Sequence, residues 1–147
     1  MKTLHFEISV NTREYLDIQD LTDQITQEVL KSKIKDGLVN VQTLHTTTAI
    51  ILNENEPLLL KDFKNNLEKI APKDIPYQHD DFSQRTVNMC NDECQNGHSH
   101  CKAIHLPPNI CLNLIDSKLQ LGTWQRILLI ELDKPRSRKI QIQIVGQ

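Results

Sequence analysis

The apolar–polar alternation near both ends of the chain constrains the fold most. Leu4, Phe6, Ile8 and Val10 alternate with His5, Glu7 and Ser9, and Ile140, Ile142 and Ile144 alternate with Lys139, Gln141 and Gln143. Successive side chains of a strand point to opposite faces, so each run must bury one face and wet the other. Such strands need a sheet to join and a second layer to cover their apolar side. Val39, Val41 and Thr43 repeat the pattern, and the β-branched run 46–52 favours another strand. Segments 98–104, 110–116 and 126–132 read as further strands, with a turn near Lys118 between Ile115 and Leu119.

Two segments carry helical spacing. Asp20-Leu21-Thr22 offers side-chain oxygens for the free N–H groups of a first turn, Ile25, Val29 and Leu30 form an apolar stripe, and Gly37 closes the element as a helix C-terminus or turn. After the break NENEP (53–57), Leu59, Phe63, Leu67 and Ile70 recur at helical intervals behind Pro57. The expectation is an α+β fold of about seven strands and two helices in a single domain spanning 1–147, a length that can bury a full core. Between them, 71–96 is polar and aperiodic, and a stretch of that length in a compact domain is often functional.

With 17 basic and 19 acidic residues, the net charge of −2 argues against nucleic acid as a partner. No apolar run approaches a membrane span and MKTLHFEISV lacks the long apolar core of a signal peptide, so no membrane partner and a cytoplasmic location are expected. In that compartment Cys90, Cys94, Cys101 and Cys111 read as free thiols.

Of the six histidines, four fall in three polar clusters: His45 in HTTT (45–48), His79 in HDDF (79–82), and His98 with His100 in NGHSH (96–100). Histidine supplies acid–base and metal-binding chemistry. If 98–104 is extended, Asn96, His98 and His100 share a face, and with the strand-end His45 they would converge on one divalent cation. Zinc suits neutral imidazole better than magnesium does. Thr46 can donate to an anion, or the threonines are simply good β formers. Glu54 and Asn55 can reach back toward His45, or they cap the following helix. His79, Asp80 and Asp81 beside Arg85 suit magnesium, or form a solvated loop. Cys90, Cys94, His98 and His100 match a zinc shell by type, although isolated thiols are the expected reading because structural zinc sites more often pair two close ligands with two distant ones. In LGTWQR (121–126), Trp124 can floor a pocket with Gln125 and Arg126 as donors, or open a strand from the core. Arg136 and Arg138, two apart in KPRSRK (134–139), can grip a phosphate or carboxylate together, or line a solvated turn.

The order HTTT…NENEP…HDD…NGHSH…LGTWQRI…ELDKPRSRKI resembles the YjbQ family, whose members include secondary thiamine-phosphate synthases. The resemblance spans nearly the whole chain and departs at LPPNICLN (106–113). It implies a β-sandwich core of mainly antiparallel strands, a homotrimer, and a pocket lined by the histidines. The implied activity is that of a transferase joining a pyrimidine diphosphate to a thiazole phosphate with release of pyrophosphate. His45, Glu54, His98, His100 and Gln125 would then be catalytic. Thr46, Asn55, Asn96, Trp124, Arg136 and Arg138 would hold the small phosphorylated substrate, with magnesium or zinc at His45, His98 and His100. The alternative is a non-catalytic module that captures a phosphorylated metabolite or a metal.

Overall fold

The computed structural model describes residues 1–147. Eight strands and three helices follow one another as β1 (Lys2–Asn11), β2 (Ile18–Asp20), α1 (Thr22–Ser32), β3 (Gly37–Thr43), β4 (Thr48–Asn53), α2 (Pro57–Ile70), α3 (Gly97–Ala103), β5 (Asn109–Ile115), β6 (Lys118–Leu119), β7 (Arg126–Glu131) and β8 (Ser137–Gly146). All pairings are antiparallel. One sheet has the order β1-β8-β3-β5-β6 and the other β2-β7-β4. The α+β class and the two-sheet core agree with expectation. No helix is long and apolar enough to cross a membrane.

The alternating ends of the chain pair with each other, Lys2 opposite Gly146 and Asn11 opposite Ser137. Their apolar faces, with Val39 and Val41, pack against Ile50, Ile127 and Leu129 of the smaller sheet, and Ile25 and Val29 of α1 join the same cluster. β7 shows no alternation because both of its faces are covered. Ile127 and Leu129 face the larger sheet, whereas Ile130 packs with Leu132, Leu16 and Leu67 of α2 on the other side.

Three expectations about elements need correction. Segment 98–104 is not a strand but part of α3. Both the Asn96 and Gly97 amides donate to Asp80 Oδ1 at 2.9 Å, and Gly97 lies so close to Tyr77 that an added Cβ would be 2.5 Å from its Cβ. These are tertiary contacts that local β propensity cannot register. Gly37 does not end α1; Lys33, at φ 56°, does. Gly37 begins β3, where a side chain would collide with the Val145 carbonyl. Third, the strands number eight rather than about seven, because β2 and β6 are too short to show a period. The turn near Lys118 does occur, with Asp116 and Ser117 both at positive φ.

Lys102 anchors α3 from a fully buried position. Its ammonium donates to the Ala71 carbonyl at the end of α2, and lies 3.4 Å from Glu68 Oε1 and 3.5 Å from His98 Nδ1. Burial lowers its pKa from the ordinary lysine value.

The inner row of β8 runs Arg138, Ile140, Ile142, Ile144, and that of β7 runs Ile127, Leu129, Glu131. Where the two apolar rows end, Arg138 (2% exposed) meets Glu131 (0%). Arg138 Nε donates to Glu131 Oε2 at 2.6 Å, and its Nη2 donates to Glu131 Oε1 and to Thr47 Oγ1. The Thr12 hydroxyl and the Asp133 amide also donate to Glu131, at 2.8 and 3.0 Å. Removing one partner of such a pair leaves an unpaired buried charge, typically worth about 3–5 kcal/mol. Arg138→Met should therefore destabilise by about that amount in urea unfolding. Adding Glu131→Gln, which neutralises the stranded charge and keeps an acceptor, should recover much of the loss. A loss below about 1 kcal/mol for Arg138→Met alone would place the pair among those that contribute little.

Candidate functional site

The chain leaves the larger sheet at Thr43 and enters the smaller one at Thr48, and residues 44–47 make that crossing beside Arg138. His45 is fixed at the crossing by accepting the Lys139 amide on Nε2 at 2.8 Å. A neutral ring bonded this way carries its proton on Nδ1, which has no partner within the chain. Burial, then the nearby Arg138 guanidinium, lowers the His45 pKa.

His45 and Thr46 form one wall of a cavity of about 490 Å³. His79 and Arg85 from the long polar segment, and Asn96 and His100 at the start of α3, form the opposite side. The His79 and His100 rings meet edge to face with centroids 4.7 Å apart. Burial, then the proximity of His79, lowers the His100 pKa. Arg85 is held by Glu93 at 3.2 Å and by the Asn88 carbonyl at 2.8 Å. Arg136 Nη2 donates to Asp133 Oδ2 at 2.7 Å.

Three buried side-chain atoms in the molecule have no hydrogen-bond partner: His79 Nε2, Arg85 Nη1 and Asn96 Oδ1. All three residues line this one cavity. Asn96 Nδ2 makes a long 3.5 Å bond to Asp133 Oδ2, which orients the amide and leaves Oδ1 as the free acceptor. Leaving such a group unsatisfied costs about 1–3 kcal/mol, so three in one place mark a site that a polar ligand would complete.

Several sequence-predicted residues lie elsewhere or are otherwise engaged. His98 and His100 do not share a face, because two helical residues two apart point about 200° from each other. His98 lines a separate cavity of about 380 Å³ and packs edge to face on Tyr15. Burial, then Lys102, lowers its pKa. His45, His98 and His100 therefore do not form the expected metal-ligand set, and no group of three or more such side chains is placed to hold an ion. Arg138 lines the 490 Å³ cavity but is engaged with Glu131, so Arg136 and Arg138 do not form a two-pronged anion grip. Glu54, Asn55 and Trp124 line a third cavity of about 550 Å³. Gln125 is nearby in sequence, its Oε1 accepting the Gly122 amide. This third cavity lies at the other end of the β4–β7 pair, where Asn53 faces Arg126, whereas Thr48 faces Glu131 beside His45.

Glu131, Asp133, Glu93 and the anchoring role of Lys102 emerge only from the structure. Glu131 had a visible signal, a carboxylate within the apolar run ILLIEL.

The family described as UPF0047 protein YjbQ-like matches residues 6–147. A UPF0047 protein of Archaeoglobus fulgidus is 37% identical over 137 residues, covering 93% of this chain and 98% of its own. UPF0047 protein YjbQ of Salmonella typhimurium is 31% identical, with 76% and 75% covered. Among solved structures, a YbjQ-like protein of unknown function from Sulfolobus solfataricus P2 superposes with a TM-score of 0.86 at 33% identity over 99% of each chain. A hypothetical protein from Aeropyrum pernix K1 gives 0.84 at 28% identity over the whole of both. These relatives are described as uncharacterised, and none is described as making thiamine phosphate, which overturns the expected synthase activity. The two arginines expected to grip a phosphate are instead engaged with Asp133 and Glu131. What the comparisons establish is membership: the chain belongs to the UPF0047/YjbQ family.

Proposed function

We propose that the cavity between His45 and α3 binds a small oxyanion that also carries a hydrogen-bond donor, and that His79 and His100 exchange protons with it. The three unpartnered buried atoms carry this reading. Arg85 Nη1 needs an acceptor, His79 Nε2 can donate or accept, and Asn96 Oδ1 needs a donor. A phosphate ester or a hydroxylated carboxylate offers both kinds of group. A cavity of about 490 Å³ suits a small metabolite. Two imidazoles in edge-to-face contact on one cavity wall are suited to proton transfer with a bound ligand.

Inorganic phosphate and sulfate separate this reading from simple charge attraction. At neutral pH phosphate retains a P–OH donor for Asn96 Oδ1, and sulfate has none. Calorimetry at constant ionic strength should give phosphate about tenfold tighter binding, the equivalent of one satisfied buried acceptor. Asn96→Ala should remove that preference, and Arg85→Gln should weaken both anions. Sulfate affinity should also rise as pH falls below about 6.5, because His45 and His100 have lowered pKa values, are neutral at pH 7, and gain charge on acidification. Equal affinities for the two anions, or none at millimolar concentration, would defeat the reading.

The same reading includes assembly as a homotrimer. The six residues of β4 at about 3.3 Å each hold Glu54, Asn55 and Trp124 roughly 20 Å from His45, too far to act there within one chain. Their cavity carries Glu54 and Glu56, with Asp20 paired to Arg126, beside a Trp124 that is 70% exposed. The histidine cavity instead carries Arg85 and Arg136 with three histidines. The opposite charges suit docking of the Trp124 edge of one copy on the histidine cavity of the next, repeated until the ring closes. Light scattering should give three times the 17.0 kDa chain mass, and Trp124→Ala should shift it toward a single chain. A wild-type monomer at micromolar concentration would contradict the assembly while leaving the anion cavity to be judged by calorimetry.

A further inference from the structure

Cys90 and Cys94 stand at the rim of the histidine cavity. Both are free thiols, Cys90 exposed and Cys94 half-buried, and Cys90 lines the cavity itself. The backbone between them is folded back. The Glu93 amide donates to the Cys90 carbonyl at 3.2 Å, closing a tight turn. The Cys90 amide donates in return to Glu93 Oε2 at 3.2 Å, and the Cys94 amide faces the same carboxylate. Four residues in extended chain would separate the two by about 13 Å. The closed turn instead brings Cys90 and Glu93 within about 7 Å, and with the Cys90 and Cys94 amides both facing the one Glu93 carboxylate the two cysteines are gathered around it. Cys94 Sγ also lies 3.9 Å from Arg136 Nη2, so both thiols border the cationic lining.

We infer that Cys90 and Cys94 form a thiol–disulfide exchange site that takes a low-molecular-weight disulfide and thereby sets the affinity of the adjacent cavity. The exposed Cys90 thiolate attacks one sulfur of the small disulfide. A mixed disulfide forms, the small disulfide's S–S bond breaks, and one small thiolate leaves. The Cys94 thiolate then attacks Cys90 Sγ, forms the internal disulfide and expels the second small thiolate. Two cysteine thiols are oxidised, one small disulfide is reduced to two thiols, and the two cysteine protons pass to the leaving thiolates. The consequence for the cavity runs through Glu93. Its carboxylate holds both the turn and Arg85 Nη2, while Arg85 Nη1 stays without a partner at the cavity. A disulfide across the turn fixes Glu93, and so fixes Arg85 before the ligand arrives. This regulatory part rests on the proposed anion cavity; the exchange chemistry does not.

The full-length chain, purified reduced, is incubated with oxidised and reduced glutathione at a series of ratios. Intact mass and peptide mapping should show loss of two hydrogens and a Cys90–Cys94 crosslink, with Cys101 and Cys111 left as thiols. Cys94→Ser should instead accumulate one glutathione on Cys90. Phosphate affinity by calorimetry should be at least about threefold higher in the crosslinked protein, as expected for preorganisation of one side chain. Absence of the crosslink, or equal crosslinking to Cys101 and Cys111, overturns the exchange site. A clean crosslink with unchanged phosphate affinity overturns the regulation. If the reduced protein binds no phosphate at all, the anion cavity fails, and the mass readout still decides the exchange site.

Discussion

Arg138 and Glu131 meet where the two sheets would otherwise part, and much of the cavity is attached to them. Their rows are apolar along most of the interface and become charged only at this end. A buried pair is not a source of stability by itself, because desolvating both ions offsets most of their attraction. It does demand a complete set of partners, and those partners build the site. Thr47, bonded to Arg138, fixes the crossing that presents His45. The Asp133 amide, bonded to Glu131, positions the carboxylate that holds both Arg136 and the Asn96 amide. Lys139, the residue after Arg138, donates its amide to His45. Four cavity residues are thus held within one or two bonds of a single ion pair.

The opposite wall depends on a different carboxylate. Asp80 accepts two amides at the start of α3 and so fixes the seven-residue helix on the polar segment. That helix sends His98 toward Tyr15 and Lys102 on one side and His100 toward His79 on the other. Two histidines that look equivalent in the sequence therefore occupy different environments. One is packed into the layer that covers the smaller sheet. The other shares a cavity with unsatisfied polar atoms.

The sheet core was readable in the sequence because burial on one face writes a period of two. β1, β3 and β8 follow that pattern closely. α2 was readable from its spacing, and Glu56 caps it by accepting the Leu58 and Leu59 amides. What could not be read depended on contacts distant in sequence. α3 is helical because of Asp80 and Tyr77, well before it in the chain, and the i, i+2 histidine pair lost its meaning with the strand. Arg138 looked available for an anion because nothing local indicated that Glu131 would face it across the sheets. Glu54 and Trp124, which came from separate motifs, share a cavity, and the length of β4 separates them from the histidines.

Arg85 Nη1, His79 Nε2 and Asn96 Oδ1 have no partner within the chain, and on our proposal one ligand completes all three. The most direct test is a high-resolution crystal structure of protein purified without phosphate or sulfate and then soaked in inorganic phosphate. A single phosphate is expected within hydrogen-bond distance of all three atoms, about 2.7–3.2 Å from each. Phosphate bound elsewhere, or the three atoms each satisfied by its own water with no shared anion, would contradict it.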